Sequence, residues 1–360
     1  MENDKHVMKV DIGDSGCINL KALVKFAPGF ENIEIRDVDE PIVDPDMVLI
    51  EVKAAGICGS DVKHYEGGAN LPTPIILGHE FSGEIVEVGP HVKHLVEGER
   101  VVSETSYSTC DVCVHCLSGD YHLCAHRRGL GSRSNGVFTE LVAIPAKIVH
   151  KIPGDMSYED AALVQPCADI CNAVIRKADI SPGDHVVVLG PGPMGLLTTQ
   201  VAKTSGASVV TQTGRRGVRL SIASEVGADN VIAFDEEDVV QKVLGYTGGV
   251  GVDVVFEASG SPDALTQALD IAKRKGQVIL IASPREPVTV DFRKILGKPL
   301  TLKGSIMSKW IDYERAIRLM SSGMIKTGPI VTHKLPLEEW KKAFDLIRVE
   351  KTAGKVLFTP

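Results

Sequence analysis

At 360 residues and 44% hydrophobic, the chain can bury large cores, and its length points to two domains. Lys and Arg number 39 against 47 Asp and Glu, a net charge of −8 with no long basic run, which argues against a nucleic-acid partner. No apolar run approaches the ~18 residues of a membrane span, and residues 1–10 lack the apolar core of a secretion signal, so a soluble cytoplasmic protein is expected.

Residues 1–20 are polar and mixed, without a clear period, and read as an N-terminal extension. From Lys21 the runs LKALVKF, IEIRDVDEP and MVLIEVKAAGICGSD are short, apolar and rich in β-branched residues, with Gly and Pro between them. That pattern predicts a β-rich, barrel-like domain to about residue 155. Inside it Cys58 ends an apolar run, and some twenty residues on, Gly78-His79-Glu80 precedes another strand-like run. Cys, His and Glu are all ligands for a catalytic zinc that keeps one position for water or substrate. A packed cysteine at a strand end and a packed histidine account for the same residues, so from these alone both readings stand.

The strongest local signal follows. Cys110, Cys113 and Cys116 recur every three residues, and Cys124 comes eight residues later. Three thiols at that repeat wrap a loop around one ion, and the fourth closes a tetrahedral four-cysteine site. A closed site leaves zinc no open position, so this metal is expected to be structural. Disulfides fit poorly, because the thiols lie too close together for two relaxed bridges. Eight cysteines, four of them at metal spacing, also suit a reducing compartment.

After Asp155 the spacing turns helical, through MSYEDAALV and on past Gln165 to two thiols one turn apart, Cys167 and Cys171. The unbroken apolar run at residues 185–189 predicts a buried parallel strand. It leads into Gly190-Pro191-Gly192-Pro193-Met194-Gly195 and then a helix. Strand, glycine loop and helix together form the context of a dinucleotide fingerprint, in which the glycines let the backbone approach a pyrophosphate at the helix N-terminus. ASVVTQT, NVIAFD, VDVVFEAS, GQVILIAS and LTLKGS add five strands separated by helical stretches, which predicts an α/β fold with a doubly wound parallel sheet. From Ser305 the pattern reads helix, helix and closing strand, expected to return to the first domain. The expected division is an extension at 1–20, one domain from 21–170 with 305–360, and a second at 171–304.

GICGSD, GHEFSGEI, VEGERV, the spaced cysteines ending in NGVFTE, GPGPMG and the terminal GKVLF make the chain resemble the zinc-dependent medium-chain dehydrogenases, most closely their polyol branch. The resemblance covers about residues 21–358. It implies a GroES-like catalytic domain, an inserted Rossmann nucleotide-binding domain, two zinc ions per chain, NADP or NAD as cofactor, and a homodimer or homotetramer. It places the catalytic zinc on Cys58 and His79, with Glu80 as a third candidate, and gives Ser60 the role of passing on the substrate's proton. Relatives carry His where Lys63 stands, with His64 beside it, so the implied proton route runs through Lys63, His64 or water. Gln165 stands where polyol relatives have a zinc-site Glu. Cys167 reads either as a buried structural thiol or as a group near the metal. The implied activity is hydride transfer between a secondary alcohol of a polyol or sugar-derived substrate and NAD(P). Threonine-type, sugar-phosphate, sugar-acid and simple alcohols are the alternatives, and an inactive nucleotide-binding relative is a remote one. Counting back from Arg219-Leu220, Gly214 falls where NAD-selective relatives place a ribose-binding Asp, and Arg215 and Arg216 follow it. A glycine makes room for a 2′-phosphate and a guanidinium binds one, so NADP preference or dual use is expected.

Overall fold

The structure, a computed structural model, describes residues 20–68 and 71–360; the expected extension lies outside the described residues apart from Leu20. The chain divides into two compact units. The first takes the residues up to Gln165 with His333–Lys351 and Lys355–Pro360, and the second takes Pro166–Thr332 with Thr352–Gly354.

The first unit is built on the long strand Met47–Gly56, whose apolar residues are buried along most of its length. It pairs antiparallel with Glu80–Val88, with Leu141–Pro145 and, at its far end, with Lys355–Thr359. This register sets Gly56 opposite both Glu80 and Leu357. A smaller sheet joins Leu20–Lys25 to Ile33–Val38 and Ile75–Ile76. Phe138 and Phe358 meet edge to face at 5.0 Å in the core between these strands. The helix α1 (Gly59–Tyr65) begins directly after Cys58.

One glycine in this unit is required by its surroundings. Gly78 has φ +90, and a Cβ there would lie 2.4 Å from the Phe138 ring. Val137 N–H donates to the Gly78 carbonyl at 3.1 Å and Phe138 N–H to that of Leu77 at 2.9 Å. The chain entering His79 is thus pinned against residues 136–138, the NGVFTE segment.

The second unit holds a six-stranded parallel sheet: β1 (His185–Leu189), β2 (Val209–Gly214), β3 (Asn230–Ala233), β4 (Val252–Glu257), β5 (Ala272–Leu280) and β6 (Thr301–Gly304). Its spatial order is β3-β2-β1-β4-β5-β6, the doubly wound dinucleotide-binding order, with the reversal at β1. All five apolar runs expected to be strands are strands here. The helix α2 (Pro193–Thr204) follows β1, with Gly192 as its N-cap and Pro193 in its first turn.

Residues 305–332 were expected in the first domain, and here they pack with the second unit. Polar ties explain it. In α3 (Trp310–Ser321) the buried Asp312 accepts a hydrogen bond from Arg176 at 2.9 Å. Asn172 Nδ2 donates to the Met307 carbonyl at 2.7 Å, and the Gln200 side chain bonds both backbone groups of Lys326. The first unit likewise ends at Gln165, a few residues before the expected boundary at 170. Among the described residues no helix is long and apolar enough to cross a membrane.

Candidate active site and metal centres

All seven cysteines among the described residues are free. Four come together in the loop after residue 109: the ligand atoms of Cys110, Cys113, Cys116 and Cys124 all lie within 4.8 Å of one another. The sulfur separations are 3.5 Å for Cys113–Cys116, 3.5 Å for Cys110–Cys124 and 3.9 Å for Cys110–Cys116. Four thiolates around a zinc at about 2.3 Å would stand about 3.8 Å apart, so the sulfurs already trace the edges of that tetrahedron. Their ionisation is split. The N–H groups of Val112 and Cys113 pull the Cys110 thiol down to about 6, whereas burial and the neighbouring sulfurs push Cys116 up to about 12. Four thiols this close cannot all ionise by themselves; a dication in their midst lets them, and the donor set fits zinc. The lobe is anchored by Tyr121, whose hydroxyl donates to the buried Glu104 carboxylate at 2.7 Å.

A second donor set lies at the far end of the strand Met47–Gly56. Cys58, His79 and Glu80 bring their ligand atoms within 4.8 Å of one another. Asp61, fully buried in the first turn of α1, accepts the Cys58 N–H at 2.8 Å and stands 3.8 Å from His79 Nδ1. Burial alone would lower the His79 imidazole, but the Asp61 carboxylate, the Cys58 sulfur and Glu80 outweigh it and raise it to about 10. The surroundings of that ring therefore favour positive charge, which a proton on the imidazole or a metal cation in its place would supply. A soft thiolate, an imidazole and a carboxylate, with one position left open, suit zinc that also binds a substrate.

Glu80 has a partner that the sequence reading missed. Lys355 Nζ donates to Glu80 Oε2 at 2.5 Å and to the Ile57 carbonyl at 3.0 Å, and both residues are buried. Gly56 makes the space: a Cβ there would lie 2.5 Å from the same carboxylate oxygen. Asp61 was missed too. Both sit inside quoted motifs, GICGSD and GKVLF; Asp61 at the third position after Cys58 carries the signal of a capping residue, but no sequence rule pairs Lys355 with Glu80.

The other expected residues fall as follows. Ser60 is half-buried in the first turn of α1, and Lys63 and His64 are half-buried in its last. Burial lowers the His64 imidazole, whose Nδ1 is buried without a hydrogen-bond partner. Gln165 is buried. Cys167 is fully buried, and its thiol is pushed well up by the Cys171 thiol one turn on and by burial.

In the second unit Gly190, at φ +110, and Gly192, Pro193, Met194 and Gly195 form the turn from β1 into α2. A Cβ on Gly195 would fall 1.9 Å from the Gly190 carbonyl oxygen, and one on Gly214 would fall 2.4 Å from the Pro191 ring. The turn presents bare backbone at a helix N-terminus, which fits a pyrophosphate. Past the end of β2, Arg215 lies over the Phe234 ring at 5.5 Å. Arg216 gives its N–H to Asp235 at 2.9 Å and its guanidinium to Glu236. Arg219 turns away from this group and donates to the Ala353 carbonyl at 2.5 Å.

Two family models match the chain, one described as alcohol dehydrogenase GroES-like domain over residues 44–154 and one as zinc-binding dehydrogenase over residues 193–322. A sorbitol dehydrogenase of Halalkalibacterium halodurans is 41% identical over 343 residues, 95% of this chain and 99% of that one. A D-arabitol-phosphate dehydrogenase of Enterococcus avium is 37% identical over 331 residues, 91% of this chain and 94% of that one. A crystal structure from Sinorhizobium meliloti 1021 bound to NADP matches with a TM-score of 0.89 at 30% identity, covering 95% of this chain and 100% of that one.

The buried pair makes a direct prediction. Lys355→Met leaves the Glu80 carboxylate buried without its ammonium and is expected to cost about 3–5 kcal/mol, most of it recovered in Lys355→Met/Glu80→Gln. Urea unfolding of the wild type and both variants checks this; a double variant no more stable than the single one contradicts it.

Proposed function

Because this chain belongs to the zinc-dependent alcohol dehydrogenase family, we propose that it transfers a hydride between a secondary alcohol of a polyol or sugar-derived substrate and NADP. The convergence of Cys58, His79 and Glu80 on one point, separate from a closed four-cysteine set, carries this reading: one metal for chemistry and one for the fold. Cys58, His79 and Glu80 would hold the first, and Cys110, Cys113, Cys116 and Cys124 the second. When bound, zinc supplies Lewis-acid polarisation of the substrate oxygen, and the nicotinamide supplies a hydride acceptor or donor.

The chain's own groups do the rest. Lys355 neutralises Glu80, and Gln165 is neutral where polyol relatives carry an acid. The Cys58 thiolate is then the one uncompensated negative charge in the donor set, which favours Lewis acidity. Asp61 holds the Cys58 backbone through its hydrogen bond and sets its negative charge 3.8 Å from the His79 ring. Ser60 Oγ receives the substrate hydroxyl proton. Ser60 and His64 are four residues apart on α1 and share a face. His64 Nδ1, buried without a partner in an imidazole that burial lowers, is the next acceptor in this reading, ahead of Lys63.

For the cofactor, three observations support NADP. Pro191 occupies the space that an Asp at position 214 would need. Arg215, supported on Phe234, forms no ion pair among the described residues, so we take it as the reader of the phosphate. Arg216 is engaged by Asp235 and Glu236 and contributes less. A homodimer or homotetramer is supported by the second unit's open sheet edge at β6, beside the exposed Phe292, Leu296 and Ile306. The free thiols of the four-cysteine set support a reducing cytoplasm.

Metal analysis with activity tests the two sites. Cys58→Ser is expected to abolish turnover, keep nucleotide binding and lose one of two zinc ions, whereas Cys110→Ser loses soluble protein or subunit association. Turnover within a few-fold of wild type in Cys58→Ser contradicts the reading.

Rates of nicotinamide reduction over polyols, sugar phosphates, aldonates and threonine, with both cofactors, test the substrate and the cofactor together. Polyols should lead. One charged contact is worth about ten- to a hundred-fold in kcat/KM for NADP over NAD, lost mainly in Arg215→Ala. NAD ahead, or a ratio unmoved by Arg215→Ala, contradicts the cofactor assignment.

A further inference from the structure

β2 lies between β1 and β3 and is paired in parallel with both, a position that ordinarily carries an apolar run. Here it carries Thr211, Gln212 and Thr213, all buried, and Gln212 is completely so. A fully buried side-chain amide persists only where its donors and acceptor are all met. Those of Gln212 are met by three separate elements around the glycine turn. Its Nε2 donates to the Gly190 carbonyl at 2.7 Å and to the Val188 carbonyl, on β1, at 3.3 Å. Its Oε1 accepts from Thr199 Oγ1, on α2, at 2.5 Å.

The Gly190 carbonyl is the tight point of that turn. The missing Cβ of Gly195 leaves it room from one side, and the Gln212 amide holds it from another, 3.2 Å from where that Cβ would be. The Gly190 N–H in turn donates to the Thr213 carbonyl at 3.1 Å, so both polar groups of the first loop glycine are fixed by β2. We propose that Gln212 is a positioning residue for nucleotide binding: it locks the 190–195 turn in the shape that receives the pyrophosphate. An apolar residue of similar size would fill the space and leave the Gly190 carbonyl without this donor, free to rotate, and the bare backbone of the turn would no longer be held ready.

The inference rests on the reading that a nicotinamide dinucleotide binds at this turn, and it has a distinctive signature. The pyrophosphate is common to NAD and NADP, so Gln212 acts equally on both, unlike Arg215, which acts on their ratio.

The test measures dissociation constants of NAD and NADP by titration calorimetry on the metal-loaded protein without alcohol, together with the melting temperature of the nucleotide-free protein and kcat at saturating nucleotide. For Gln212→Leu both constants should rise by a common factor of about ten, the effect of one buried hydrogen bond, while kcat stays within about twofold. Gln212→Glu, of the same shape but with an oxygen facing two carbonyls, should be weaker still. Thr199→Val, which frees only the far end of the amide, should raise both constants about threefold. A lowered melting temperature with both constants unmoved would make Gln212 a structural residue and overturn the proposal. A shift in NADP alone would overturn it as well, and so would loss of fold in both Gln212→Leu and Thr199→Val. A wild type that binds neither nucleotide would instead refute the binding reading beneath it.

Discussion

A carboxylate buried as deeply as that of Glu80 must be neutralised, hydrogen-bonded or protonated, and Lys355 provides the first two from the last strand of the chain. The arrangement around the donor set depends on that pair. It fixes Glu80 at the end of its strand, opposite a glycine whose missing side chain is the space the carboxylate fills. It also ties the Lys355–Thr359 strand to Ile57, the residue before Cys58. Cys58, His79 and Glu80 thus meet because three strand ends are locked in register, with Gly78 bent against Phe138 so that His79 faces inward.

The two cysteine-containing groups solve one electrostatic problem in opposite ways. The loop at 110–124 gathers four thiols, and only a cation lets all four ionise; every donor is used, so nothing remains for a substrate. At Cys58 the protein gathers fewer anions and cancels one of them internally with Lys355. In the reading proposed here, four donors that close a site and three that leave a position open separate a metal that would hold a fold from one that would polarise an oxygen.

What could be read from the sequence was what local chemistry decides. Apolar runs of five or six residues marked the parallel strands, and a glycine turn between strand and helix marked the dinucleotide fold, because each obeys a short-range rule. The spacing of Cys110 to Cys124 did the same for a candidate metal loop. Besides Asp61, three features escaped. Lys355 meets Glu80 across 275 residues, a pairing no periodicity encodes. Residues 305–332 went to the wrong domain because their helical pattern says nothing of Asp312 bonding Arg176. Gln212, polar in an apolar setting, stood in a strand run whose overall character hid it, and only the carbonyls around it give its amide a purpose.

The central claim is that the chain carries an open three-donor site and a closed four-donor site. Anomalous diffraction at the zinc absorption edge, from crystals of the freshly purified protein, tests it most directly. The account predicts two peaks per chain, one bonded to Cys58 and His79 and one enclosed by Cys110, Cys113, Cys116 and Cys124. A single peak, or a second peak bonded to neither Cys58 nor His79, would contradict it.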